Sequence, residues 1–141
     1  MRIFLDTNVL LDLLLLREGQ VNTADILKLG ACRIITPLAS VLTIANTAYI
    51  IRKHVGNSMV AKSIGTLLKR VAVLPMDTEQ VQRALVRNPA DYEDALQAEC
   101  ALAAKCDCIV TNNIRHFKDF QHEIRIFTPS EFLSLFKDSL S

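Results

Sequence analysis

Phe4-Leu5-Asp6-Thr7-Asn8 is the stretch whose reading decides the fold. Arg2-Ile3 precedes it and Val9-Leu10-Leu11-Asp12 follows, so a short apolar run stops on an aspartate and continues at once into a leucine-rich segment. Such a run bounded by a polar residue reads as a buried strand, and the continuation reads as a helix. Asp6 is then either the cap of that helix or the first piece of an acidic site. Thr7 and Asn8 stand beside it as other caps, and the only basic residue close in sequence, Arg2, lies at the far end of the same strand. A carboxylate ending a central strand is costly unless a cation or water meets it.

Working outward, short apolar runs alternate with longer helical patterns. The spacing predicts strands at Arg2–Asp6, Arg33–Thr36, Val71–Pro75, Cys108–Thr111 and Arg125–Thr128. It predicts helices at Val9–Leu16, Val21–Ala31, Leu38–His54, Ser58–Arg70, Glu79–Val86, Tyr92–Lys105 and Glu131–Lys137. Alternation of this kind points to an α/β fold, a three-layer α/β/α sandwich around a central parallel sheet of four or five strands. Thr36-Pro37 and Thr128-Pro129 read as a capping residue followed by a first-turn proline, and Thr128 with Glu131 forms a capping box. Asp77 with Gln80 is a similar arrangement. Ligands of open α/β sheets bind outside the carboxyl ends of the strands, where Asp6, Asp77, Asn112, Asn113 and Thr128 fall. Capping accounts fully for Asp77 and Thr128.

The 141 residues, half of them hydrophobic and 22% charged, exclude disorder and suit one domain spanning residues 1–141. Sixteen basic and fifteen acidic residues nearly cancel, so a nucleic-acid partner must be held by a local patch. The most apolar stretch, Val9–Leu16, is interrupted by Asp12, and the N-terminus lacks a signal-peptide layout. The expectation is a cytoplasmic protein with no membrane partner. Cys32, Cys100, Cys106 and Cys108 form no CxxC pair and have no histidines at zinc-site spacing, which reads as reduced thiols.

Three further clusters carry possible chemistry. In Asn88-Pro-Ala-Asp-Tyr-Glu-Asp94, Asp91 is a good N-cap and Asp94 lies at the third helical position; capping explains Asp91, whereas Glu93 and Asp94 together exceed what capping needs. Ser40, Thr43, Asn46 and Thr47 recur at helical spacing in an otherwise apolar segment, and small uncharged residues suggest a partly buried polar site rather than a solvent face. Cys108-Ile-Val-Thr-Asn-Asn113 closes a strand on two asparagines, a common turn, and leads into His116 with Arg115, Lys118 and Arg125 as a basic rim.

Taken together, FLDTNVLLDLLL, TPLASVLTIANTAYIIRK, DYEDALQAECALAAKCD and IVTNNIRHF resemble, in order and spacing, the PIN (PilT N-terminal) domain. In particular, they resemble a VapC-like bacterial branch carrying S-x-x-x-x-A-N and T-x-N-x-x-x-F. The resemblance implies a metal-dependent endoribonuclease using Mg²⁺ or Mn²⁺ on RNA. It implies Asp6 as first metal ligand, Asp94 as the third acidic position, and Asn46 and Asn113 where the second and fourth acidic residues usually stand. Thr111 matches the polar residue that accompanies the fourth position. Thr7, Ser40, Thr43, Asp91, Glu93, Asn112 and His116 are the supporting residues, His116 standing where this branch often has a carboxylate. The resemblance further implies the toxin of a toxin–antitoxin pair, an antitoxin protein inserting a basic side chain into the acidic cleft, and a homodimer through Val9–Leu16 and Leu38–Ile51.

The physical logic is direct. Two carboxylates roughly 4 Å apart cost about 4 kcal/mol at an effective dielectric of about 20, and a hard divalent cation removes that cost. Asn46 and Asn113 remove two negative charges from the nominal four, which predicts weaker metal binding and one well-occupied ion. The competing reading is a catalytically weak PIN-like module that binds nucleic acid or a protein partner. A haloacid-dehalogenase phosphatase needs a second aspartate where Asn8 stands, and a receiver-like domain needs an acidic pair before Asp6; both are excluded.

Overall fold

The computed structural model describes residues 1–140, with side chains described through Asp138. The chain runs β1 (Arg2–Leu5), α1 (Thr7–Leu14), α2 (Gln20–Ala31), β2 (Thr36–Ser40), α3 (Val41–Ile51), α4 (Asn57–Leu67) and β3 (Ala72–Leu74). It continues through α5 (Thr78–Val86), α6 (Tyr92–Ala103), β4 (Cys108–Val110), a 3₁₀ helix at Ile114–Phe120, β5 (Arg125–Phe127), α7 (Pro129–Ser134) and α8 (Lys137–Leu140). All five strands are parallel, in the order β3-β2-β1-β4-β5.

Side chains alternate across each strand, so one strand feeds two cores. Ile3, Leu5, Ala39, Cys108 and Val110 face a cluster built with Val9, Leu10, Ile26, Leu29, Leu67 and Phe132 from α1, α2, α4 and α7. Phe4, Leu38 and Ile109 face the other side, against Ala84, Ala95, Ala98, Phe117 and Phe120 from α5, α6 and the 3₁₀ helix. Burial on both faces is what made the strand segments read as continuous apolar runs. The result is the expected three-layer α/β/α sandwich. No helix among the described residues is long and apolar enough to cross a membrane.

The second strand departs from the sequence reading. Arg33–Thr36 was the expected strand and Thr36-Pro37 the expected helix start, but the strand is Thr36–Ser40 and α3 begins only after Ser40. Proline is tolerated because Thr36 N–H bonds Met1 O on the β1 side. By alternation the ring nitrogen of Pro37 faces the β3 side, where the ladder starts one residue later at Leu38 opposite Ala72. Both other capping expectations hold: Asp77 with Gln80 and Thr128 with Glu131 close as capping boxes. α1 is core, since Val9, Leu10 and Leu11 are buried, whereas α3 presents Val41 and Tyr49 to solvent.

From β1 the chain steps outward through β2 to β3, then returns to the other side of β1 as β4. The strand order therefore reverses between β1 and β4. The crevice beyond their carboxyl ends is where such sheets bind ligands. Asp6 and Thr111 are the first residues past those two ends.

Candidate functional site

Asp6 occupies the N-cap position of α1, and its Oδ1 accepts the Thr7 N–H at 2.8 Å. Thr7 and Asn8 thus do not cap in its place; they serve it. Asn8 Nδ2 donates to Asp6 Oδ2 at 3.2 Å, and Thr111 Oγ1 donates to the same oxygen at 2.8 Å across the switch point. With two donors on Oδ2 and one on Oδ1, a carboxylate still has a lone pair of Oδ1 to give. Burial pushes the Asp6 carboxyl above its ordinary range, against the lowering effects of Thr111, Thr7, His116 and Asn8.

Asp94 arrives from a different part of the chain. Asp91 caps α6, its Oδ1 accepting the Asp94 N–H at 3.0 Å, so the cap role expected of Asp91 holds and Asp94 keeps its side chain for other work. Burial first, then the charge of Asp91, raise the Asp94 carboxyl to about 6; Asp6 and Glu93 add to this and His116 opposes it. Asp94 and Asp6 feel each other's charge and line one pocket of about 520 Å³. Thr7, Asn8, Asn46, Asp91, Glu93 and His116 line it too, with Tyr49, Ile50 and Leu11 as its apolar wall.

The two asparagines in acidic positions both have partners. Asn46 Nδ2 donates to Glu93 Oε1 at 2.5 Å, closing the pocket between α3 and α6. Asn113 N–H donates to Thr111 Oγ1 at 3.1 Å, and Asn113 Nδ2 lies 2.8 Å from His116 Nε2. His116 Nδ1 in turn stands 3.5 Å from Asp94 Oδ2. A continuous polar chain therefore runs from Asp6 through Thr111, Asn113 and His116 to Asp94.

Ser40, Thr43, Thr111, Asn112 and Asn113 lie outside the pocket lining and act from behind it. Ser40 caps α3 by accepting the Thr43 N–H at 2.9 Å; its hydroxyl and that of Thr43 meet Gln97 Oε1 at 2.5 and 3.1 Å. The polar stripe was therefore rightly read as partly buried, and three of its members, Ser40, Thr43 and Thr47, are wholly buried. Gln97 Nε2 is buried with no hydrogen-bond partner. Asn112 Nδ2 donates to the buried Asp12 Oδ2 at 2.7 Å, and its N–H donates to Asn8 Oδ1 at 3.1 Å, which orients Asn8 toward Asp6. Asn8, Asp12 and Gln97 are the residues sequence reasoning passed over. Gln97 carried a signal, lying one helical turn after Asp94.

The donor chemistry is that of a hard cation. Asp6 Oδ1 and the Asp94 carboxylate are oxygen donors whose ionised forms are opposed by burial and by neighbouring negative charge, and a divalent ion relieves both penalties. Among the described residues no group of three or more His, Cys, Asp or Glu is gathered closely enough to hold an ion alone. Asp6 and Asp94 are oxygen donors of the kind a hard divalent ion takes, and waters would have to complete its shell. The cysteines take no part: burial pushes the thiols of Cys100 and Cys106 up to about 11 and that of Cys108 to about 12.

Three solved structures share the fold. VapBC2 from Rickettsia felis, bound to a DNA fragment from their promoter, is 21% identical with a TM-score of 0.69, covering 89% of this chain and 97% of that one. VapBC-1 from nontypeable Haemophilus influenzae is 21% identical with a TM-score of 0.66, covering 92% and 99%. A toxin–antitoxin complex from Klebsiella pneumoniae is 18% identical with a TM-score of 0.63, covering 90% and 97%. No curated protein sequence matches this chain. The PIN domain family model matches residues 2–115, a span that holds Asp6, Asn46, Asp94 and Asn113. By that match, and with a parallel sheet flanked by helices that agrees with it, the chain belongs to the PIN domain family.

Proposed function

We propose that this chain is a metal-dependent endoribonuclease and the toxin of a toxin–antitoxin pair. The observation that carries the reading is the convergence of Asp6 and Asp94, 88 positions apart by their numbers, on one pocket at the switch point of the sheet. Both carboxyl groups are held above their ordinary range, as acids gathered for a cation are.

Asp6 and Asp94 would hold one Mg²⁺ or Mn²⁺. When bound, the ion supplies a Lewis acid for a phosphodiester oxygen and a water of lowered pKa. Thr111 and Asn8 fix the Asp6 carboxylate so that Oδ1 faces the pocket. His116, held by Asn113, favours the ionised form of Asp94. Asn46 ties Glu93 of α6 to α3 and so bounds the pocket on that side. An antitoxin partner fits the same cleft by offering a basic side chain to Asp91, Glu93 and Asp94; the likeness to a toxin–antitoxin complex supports that partner. The exposed Val41 and Tyr49 of α3 are the surface for a second copy.

A second reading is favoured by one observation: Asn46 and Asn113 are bonded to Glu93 and His116 instead of adding charge to the pocket. On that reading the chain binds RNA or protein without cutting. Cleavage of a structured RNA in Mn²⁺ separates the two. Asp6→Asn and Asp94→Asn should each lower the rate about 100-fold, the scale of removing one charge-stabilising group. Equal cleavage by the double variant rules the site out, and absence of cleavage by the wild type with RNA binding retained favours the second reading.

A further inference from the structure

At the opposite end of the sheet, before the amino ends of β2 and β3, lies a groove of about 510 Å³ between the end of α2 and the segment Leu68–Val71. Arg33, Lys69 and Arg70 line it, all exposed, and no acidic residue does. None of the three pairs with a carboxylate among the described residues. Lys28 adds a fourth positive charge in the last turn of α2.

The bland account is that these cations answer helix dipoles, because α2 and α4 both end here. Two helix carboxyl ends present about half a negative charge each. Four cations against roughly one negative charge leave a large positive excess. Backbone geometry sets where Arg33 stands. Arg33 has φ 61°, at the left-handed position that ends α2, where Ile34 N–H reaches back to Leu29 O. Glycine is the residue that conformation favours. Leu16, Asn88 and Lys105 adopt the same conformation elsewhere, so the φ of Arg33 fixes where the guanidinium stands without by itself giving it a use.

We propose that this groove is a binding site for the phosphodiester backbone of single-stranded RNA. Arginine presents a planar fork that matches phosphate oxygens, so Arg33 and Arg70 offer two such forks and Lys69 a third, point-charge contact. No aromatic side chain lines the groove, so it takes the backbone and reads no base. The need for it is electrostatic: net charge is only +1, and the pocket at the other end of the strands is acidic and repels a polyanion. The groove lies at the amino ends of β2 and β3 and the pocket past the carboxyl end of β1, so the two stand at opposite ends of the sheet. The choice of RNA rests on the nuclease reading; the test below does not, because it is run without divalent ions and reads binding alone.

The full chain is titrated onto a fluorescein-labelled 20-nucleotide oligouridine in EDTA, by anisotropy, across 50 to 200 mM KCl (about the range over which phosphate contacts dominate). The variant is Arg33→Gly/Lys69→Ala/Arg70→Ala, whose glycine suits the φ at that position and keeps the fold, as a melting curve checks. A control, Arg17→Ala/Lys62→Ala/Lys137→Ala, removes the same charge elsewhere. The expected result is about 10-fold weaker binding by the groove variant and a log–log salt slope smaller by about 2, since each single-strand contact contributes about 0.7. The control should stay within about twofold of the wild type. An equal loss in the control, or no binding by the wild type, overturns the proposal. So does displacement of the RNA by polyglutamate more readily than by unlabelled oligouridine, which would assign the groove to an acidic protein segment. Loss of cleavage activity with this binding intact would indict the nuclease reading and leave the groove standing.

Discussion

His116 Nδ1 stands 3.5 Å from Asp94 Oδ2 while Nε2 of the same ring faces Asn113 Nδ2 at 2.8 Å, so one imidazole joins the strand-end asparagine to the helix-end aspartate. With the Asp94 carboxyl at about 6, a cation entering the pocket must displace a proton in mildly acidic solution. Apparent Mn²⁺ affinity, measured by calorimetry, should fall about tenfold per pH unit below about pH 6 and level off above neutrality. Asp94→Asn should bind more weakly and with a flatter pH profile. Equal profiles for the two proteins would remove Asp94 from the site.

The same shift predicts a gain in metal-free stability on neutralisation. The Asp94 carboxyl is raised from 3.8 to about 6, so between those values the folded state binds more protons than the unfolded state. Stability contributed by this group is therefore present at low pH, declines as pH rises through that window, and stays low above it. Asp94→Asn should melt higher than the wild type in EDTA at pH 7.5, by about 3 °C for each kcal/mol recovered. Added Mn²⁺ should raise the melting point of the wild type by more than that of the variant. A lower melting point for the variant in EDTA contradicts this account.

Arg87 carries the main ion-pair network away from the pocket. Its Nε donates to the buried Glu99, Nη1 and Nη2 bond Glu123 at 2.7 and 2.8 Å, and the guanidinium lies 4.3 Å over the Phe120 ring. It thus pins the end of α5, just before the loop that leads to Asp91, to α6 and to the segment after the 3₁₀ helix. Arg87→Ala strands the Glu99 charge and should cost about 3–5 kcal/mol in urea unfolding. Adding Glu99→Gln should recover part of that loss. A single-variant cost under about 1 kcal/mol, the worth of an exposed pair, would mean that Glu99 reaches solvent.

Gly30 and Pro37 test the second strand. A Cβ on Gly30 would lie 2.5 Å from Pro37 Cγ and 2.8 Å from Cδ, and the ring is held in the sheet opposite Ile3. Gly30→Ala should destabilise by about 2 kcal/mol, as overpacking does. If Pro37 instead opened a helix, as its sequence context suggests, the ring would stand clear and the substitution would be stabilising.

What the sequence made legible follows from how local each cause is. Phe4-Leu5-Asp6 announced a buried strand closing on an acid because period and polarity change within three residues. Thr128-Pro-Ser-Glu131 and Asp77 to Gln80 announced helix starts because capping boxes are local chemistry. Thr36-Pro37 carried a capping signature too, yet pairing with β1 overrode it, and pairing is not written at that position. The links from Asp6 to Thr111 and from Asn112 to Asp12 join residues about a hundred positions apart. They needed the sheet order before they could be seen. Asn46 lines the pocket and Asn113 stands behind it, and their partners Glu93 and His116 emerge only from the fold.

The central claim is that Asp6 and Asp94 jointly ligate one divalent ion. Crystals soaked in Mn²⁺, with anomalous scattering collected at the manganese edge, test it most directly. The account predicts a single peak within about 2.2 Å of oxygens from both Asp6 and Asp94. An ion held by Asp91 and Glu93 alone, with Asp6 still engaged only by Thr7, Asn8 and Thr111, would contradict it.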